Sequence, residues 1–270
     1  MSGERAMTAS NTKIRMRSGR LVDVLNPTIE DIDFADIAWG LARQPRFLAQ
    51  SHVRIDLCTH SDFVAWLVRR RASKPTSLHA DVTPFITAKA RLHDAQETYV
   101  GDKATPVLNS LAARCAIVHG FMEAEVRAAW SGIKTNFDDL IDRKLSLTPP
   151  TSDERDIIKF YDKVALEIEG RIGFADWQRD DDILRSFDPK ELAICFSAAL
   201  RMIAEAERHA REMPRKAADG AIALTWLNHL IDDLRDGGMR TDFIAPLWEA
   251  SNHVSDWMGD PDLPNIEDLL

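Results

Sequence analysis

Apolar residues recur along most of this chain at intervals of three and four, the spacing of one face of an α-helix. Phe34, Ile37, Ala38 and Leu41 form such a stripe after Asp33. Phe63, Val64, Leu67 and Val68 form a second, on a helix expected to begin near His60. Thr83 and Pro84 read as an N-cap and first helical residue, predicting a helix to about Val100 that Gly101 ends. One helix is expected over Leu108 to Trp130, then an acidic surface segment, NFDDLIDRK, and the stop LTPPTS. Thr151 and Glu154 have capping-box spacing, and the stripe Ile158, Tyr161, Ala165 and Ile168 follows on a helix running to Glu169. Further helices are expected over 188–213, 217–234 and 241–250. Strand-like alternation is confined to RLVDVL at 20–25. Residues 1–17 are expected to be loose and the proline-broken tail MGDPDLPNIEDLL peripheral. The predicted class is all-α.

Size and charge narrow the picture. The 270 residues suit one large domain, or one domain with an appendage, and 45% apolar content is enough for a core. Lys plus Arg number 34 against 43 Asp plus Glu, a formal charge of −9. That balance argues against a general nucleic-acid binder, which needs a cationic footprint. No apolar run approaches the ~20 residues of a membrane span, so no membrane partner is expected. Cys58, Cys115 and Cys195 have no regular spacing, and the N-terminus lacks a signal-peptide core, so the expected compartment is the cytoplasm.

Candidate chemistry concentrates in RLHDAQETYVGDKATP, residues 91–106. On a continuous helix His93 and Glu97 lie four apart and share a face, with Asp94 three before Glu97. The cluster is either a solvated acidic helix end or part of a site for a divalent cation (Mn, Co, Fe, Zn or Mg). Asp162 adjoins the apolar stripe of the 151–169 helix, and Glu169 follows it by two turns. A carboxylate buried there needs a cation or donors around it, whereas a solvated boundary aspartate needs neither. His60, at a helix start, reads either as a ligand or as a cap neighbour. His52 and His79 fall in expected loops and His119 on a helix, in surface or capping roles. Trp39, Trp66, Trp130 and Trp226 occupy helical packing positions.

The order His60, His93-Asp94, Asp162 resembles the HD-domain metal-dependent phosphohydrolases. Their motif is a histidine, a later His-Asp doublet and a distant aspartate. The stretch RLHDAQETYVGDKATPV, with RSGRLVDVLNP, DIDFADIAWGLARQPRF and THSDFVAWLV, is similar to the YfbR-like 5'-deoxynucleotidase subgroup over residues 17–170.

The resemblance implies an HD-type helical bundle over 17–215. A C-terminal helical extension and acidic tail, 216–270, would pack on the same domain. It implies His60, His93, Asp94 and Asp162 as ligands of one divalent metal ion. Glu97 and Asp102 would be catalytic, Arg46 would contact the substrate phosphate, and Glu169 would support the ligands from behind. The implied activity is release of phosphate from deoxyribonucleoside 5'-monophosphates, with a small nucleotide as partner. Alternatives are a dNTP triphosphohydrolase and a catalytically inactive, metal-containing regulatory or binding protein. Residues 171–270 would cap the pocket or build a homodimer interface. The chain departs from the subgroup at Leu48 and Gln50 of RFLAQS, at Thr59, and at Ala104 and Leu108. Those departures bear on the substrate more than on the hydrolytic chemistry.

Overall fold

The computed structural model describes residues 12–72, 83–177 and 181–259. The first eleven residues, His79 and the tail beyond Gly259 lie outside the described residues. The class is all-α, with one small hairpin. Strands β1 (Lys13–Arg15) and β2 (Leu21–Asp23) pair antiparallel with Ile14 opposite Val22. Part of the segment expected to be loose is therefore a strand. It turns at Gly19, whose φ of +87° favours glycine. Ser18 ties the turn down, its amide and hydroxyl donating to Asp36 at 2.8 and 2.7 Å.

Helix α1 (Phe34–Arg43) opens on Asp33, whose carboxylate accepts from the amides of Ala35 and Asp36. Nearly every residue of α1 is buried, so it forms the axis of the fold rather than a surface helix. Around it pack α10 (Arg215–Asp236) and α11 (Thr241–Gly259), with α2 (Leu57–Ala72) and the short α4 (Glu97–Val100) on other sides. Trp226, Leu227 and Leu230 of α10 are completely buried against Ile37 and Leu41 in this first core. The C-terminal helices thus help enclose α1.

A second core joins α2 to α7 (Ser152–Gly173) and α9 (Pro189–Glu212), with Leu184 added by the short α8 (Asp181–Arg185). The stripe read from the sequence, Ile158, Tyr161, Ala165 and Ile168, lies in it with Phe63, Val64, Leu67 and Val68. Thr151 caps α7 as expected: its hydroxyl accepts from the Glu154 amide, and the Glu154 carboxylate accepts from the Thr151 amide at 3.0 Å. Because α2 contributes Leu57 and Cys58 to the first core and Phe63 onward to the second, His60 falls at the seam between them.

Three expectations need correction. The helix expected over 83–100 is two: α3 (Ile86–Leu92), then a turn, then α4. Thr83 does not cap α3, because its amide and hydroxyl both donate to Glu154 of α7. The single helix expected over 108–130 is α5 (Thr105–His119) and α6 (Glu123–Lys144), broken at Gly120 with φ +72°. NFDDLIDRK, expected on the surface, forms the last turns of α6 and is partly buried. Phe137, Leu140 and Ile141, at helical spacing, are buried there despite the flanking aspartates.

Close approach of α1 and α4 depends on Gly40. A Cβ there would stand 2.7 Å from Thr98 Cγ2, and the Thr98 hydroxyl is fixed by donating to the Ile37 carbonyl at 2.9 Å. Alanine is the better helix former by about 1 kcal/mol, yet Gly40→Ala is expected to destabilise the chain, read as a lowered midpoint in urea. A raised midpoint would show that α4 yields freely.

Candidate metal centre

His60 lies one turn into α2, not at its start, and is 0% exposed. Asp56 sets that register by accepting from the amide and hydroxyl of Thr59 at 2.9 and 3.0 Å. A buried imidazole needs both nitrogens accounted for. Nδ1 faces the Glu169 carboxylate at 2.9 Å, and since a carboxylate only accepts, Nδ1 carries the proton. The Nε2 lone pair is then left pointing away from Glu169, with no hydrogen-bond partner.

His93 reaches the same state by another route. Its Nδ1–H donates to the carbonyl of Ala90 at 2.8 Å. That carbonyl is the one the Asp94 amide would take in a continuing α-helix, so the side chain competes with the backbone. The chain responds with three-residue turns: Ala95 N to Leu92 O and Glu97 N to Asp94 O, both 2.9 Å. The doublet therefore sits on a tightened turn, and the expected sharing of one α-helical face by His93 and Glu97 does not hold. His93 Nε2 is buried and also without a hydrogen-bond partner.

Both free Nε2 atoms converge on two carboxylates. Asp94 Oδ2 lies 3.1 Å from His93 Nε2 and 3.7 Å from His60 Nε2. Asp162 Oδ1 lies 3.1 Å from His60 Nε2 and 3.8 Å from His93 Nε2. Ligands ~2.1 Å from one ion have such separations when they subtend a right angle or somewhat more. Two orphaned imidazole nitrogens beside two carboxylates fit a borderline divalent cation. The Asp162 side chain is 37% exposed, which leaves that side of the cluster open to solvent. Burial alone would raise both aspartates; the facing imidazoles outweigh it and hold both below the usual carboxylate range. Burial opposes protonation of His93, but Asp94 and Asp162 outweigh it and raise its affinity for a proton, the cation that competes with a metal for Nε2.

Arg46 stands beside this group with 11% of its side chain exposed. Its Nε lies 3.1 Å from Glu169 Oε2 and its Nη1 4.0 Å from Asp94 Oδ2. It is delivered by an unusual backbone: Phe47, Leu48 and Ala49 all have φ between 54° and 58°. Consecutive left-handed residues with Cβ atoms are costly, and such strain persists where surroundings impose it. Here the Phe47 ring packs edge-on against Phe174 and Trp177, both 5.4 Å between centroids, while the Arg46 amide donates to Ile55 at 2.8 Å.

Glu97 is buried, with Oε1 taking Lys134 Nζ at 2.7 Å and Oε2 unpartnered. Burial and the Asp94 charge push its carboxyl up to about 7 against the pull of Lys134. Asp102 follows Gly101. Gln44 fixes it there, accepting from the Asp102 amide and donating to the Glu97 carbonyl, both at 3.0 Å. Lys134 and Gln44 escaped the sequence reading; Gln44 sits in the polar stretch just past α1 and Lys134 looks like any helix-surface lysine. His52 and His119 are exposed.

The last turns of α6 add Asp138 and Asp142 near the cluster. Burial raises Asp142 from 3.8 to about 7; Lys89 opposes this, and Asp139 and Glu154 reinforce it. A carboxyl raised in the folded state binds its proton there while the unfolded chain has already lost it, so stability falls as pH rises from about 4 to about 7. Asp142→Asn, which stays neutral, is therefore expected to stabilise the metal-free protein more at pH 8 than at pH 5. Thermal melts at the two values read this directly, and an equal shift at both would contradict it.

No family model matches the chain. An uncharacterized protein of Rhodobacter capsulatus is 37% identical over 117 residues, which is 42% of this chain and 52% of that protein. The match spans about half of that relative, whose designation states no activity.

Proposed function

We propose that the chain is a divalent-metal-dependent phosphohydrolase of the HD-domain type. Its substrates would be phosphate monoesters of the deoxyribonucleoside 5'-monophosphate class. The observation that carries this reading is the pair of buried, unpartnered Nε2 atoms of His60 and His93, converging with Asp94 and Asp162 from α2, the turn after α3, and α7. Neither imidazole has a structural use for that lone pair, and leaving buried polar atoms unsatisfied is costly without a ligand.

His60, His93, Asp94 and Asp162 would hold the ion, Glu169 fixing the tautomer and orientation of His60. When bound, the ion supplies Lewis acidity toward phosphoryl oxygen and acidifies a water. The chain supplies the rest. Arg46 presents a guanidinium beside the ligands, suited to two equatorial phosphate oxygens at once. Glu97, with an affinity near neutrality, can take a proton from water and return one to the departing alkoxide. Asp102, held by Gln44, lies on the same side and would orient the attacking water. In the net reaction a water oxygen bonds to phosphorus, the ester P–O bond breaks, and alcohol and inorganic phosphate leave.

Among the described residues no helix is long and apolar enough to cross a membrane. Cys58, Cys115 and Cys195 form no disulfide with one another, which fits a reducing compartment such as the cytoplasm.

The test is a hydrolysis screen of mono- and triphosphates with added Mn, Co or Mg and identification of the released phosphate. Orthophosphate from monoesters is expected, and release of triphosphate would replace this reading by the dNTP triphosphohydrolase. Asp94→Ala is expected to lose turnover and metal retention together; undiminished metal-dependent hydrolysis by that variant would refute the assignment.

A further inference from the structure

A cleft of about 350 Å³ opens between α6 and α7, and two of its lining residues, His93 and Asp162, belong to the candidate metal centre. Its volume falls at the lower end of what small organic ligands occupy. Leu92, Ile141 and Ile158 give it an apolar floor. The α6 wall carries Asp138, Asp139 and Asp142. Cations stand beside that wall: Lys89 Nζ is buried and bound to Glu154 at 2.8 Å, Lys134 Nζ is bound to Glu97 at 2.7 Å, Arg155 is turned onto the carbonyl of Pro150, and Lys159 also lines the cleft. Because His93 and Asp162 belong to both the candidate centre and the cleft, a phosphate held between the metal ligands and Arg46 would direct its ester substituent past those two side chains into this space.

We propose that this cleft seats the alcohol portion of the ester, and that Asp138 and Asp142 select a flat, apolar-bodied group bearing hydroxyl or amino donors and no second anion. The inference rests on the phosphohydrolase reading and deepens it. Burial pushes both carboxyls up to about 7, so above that pH they are ionised, accept hydrogen bonds from such donors and oppose additional phosphates in a partly desolvated space. Discrimination therefore comes from opposed terms: attraction of donor-rich monoesters, and rejection of polyphosphates and of donor-free alcohols. Removing an acceptor that meets a substrate donor costs the favoured substrate and leaves a donor-free one comparatively untouched. Asp138 and Asp142 are specificity-determining residues on this account; neither touches the reacting phosphorus.

The experiment, run at about pH 8 where Asp138 and Asp142 are ionised, compares kcat/KM of the manganese-loaded full chain for two probes and inhibition by a third. 2'-Deoxyadenosine 5'-monophosphate bears donors, p-nitrophenyl phosphate bears none, and 2'-deoxyadenosine 5'-triphosphate serves as inhibitor. The ratio of the first two is expected to fall at least about tenfold in Asp138→Ala/Asp142→Ala, and inhibition by the triphosphate to strengthen. Asp142→Asn, expected to be the more stable protein, repeats the triphosphate arm should the double variant fold poorly. Hydrolysis by all forms with an unchanged ratio and unchanged inhibition would overturn the cleft assignment while leaving the phosphohydrolase standing. No metal-dependent hydrolysis of any ester by the parent chain would overturn the phosphohydrolase reading and the cleft with it.

Discussion

The contact between Glu169 and His60 is the constraint from which the rest of the centre follows. Both side chains are buried, and a carboxylate this enclosed is tolerated only where donors surround it. Glu169 has the His60 imidazole as its donor and the Arg46 guanidinium as a charge partner. In accepting from Nδ1 it dictates which nitrogen of His60 remains basic and where that nitrogen points. In pairing with Arg46 it brings a guanidinium to the edge of the same cluster. It also links α2, α7 and the strained Arg46–Ala49 turn. One carboxylate thus sets tautomer, orientation and the placement of the cation.

The fold supports this by its division into two apolar cores. Residues at the seam are held by packing on both sides, which suits a rigid set of ligands better than a loop would. α2 spans the seam and supplies His60; α7 leaves the second core and supplies Asp162 and Glu169. α3 ends there because His93 takes a carbonyl from its own helix. A buried ion network lies behind the doublet: Arg91 is bonded to Asp62 of α2 and Asp233 of α10, which anchors α3 two residues before His93. Such pairs add little net stability but fix relative position, since breaking one strands a buried charge.

Helical periodicity was enough to read the class, the α7 stripe, its capping box and the stop at Gly101, because these are local features. The convergence of His60, His93, Asp94 and Asp162 was visible as a resemblance in order and spacing, not from periodicity. Tertiary competition defeated the local reading in two places. Thr83 is a good cap by composition but is claimed by Glu154 across the fold, and the helix through His93 breaks for a side-chain hydrogen bond that spacing does not reveal. At Asp138 and Asp142 the acidic residues masked the apolar triplet Phe137, Leu140 and Ile141, so a helix lining the cleft read as surface. Lys134 and Gln44 act only through partners distant in sequence, Glu97 and Asp102, and carry no local signal.

X-ray absorption at the metal edge of the cobalt- or manganese-loaded protein tests the centre most directly. One ion per chain is expected, with two imidazole nitrogens and carboxylate oxygens in its inner coordination. A shell without imidazole, or a protein that leaves a desalting column free of metal, would contradict it.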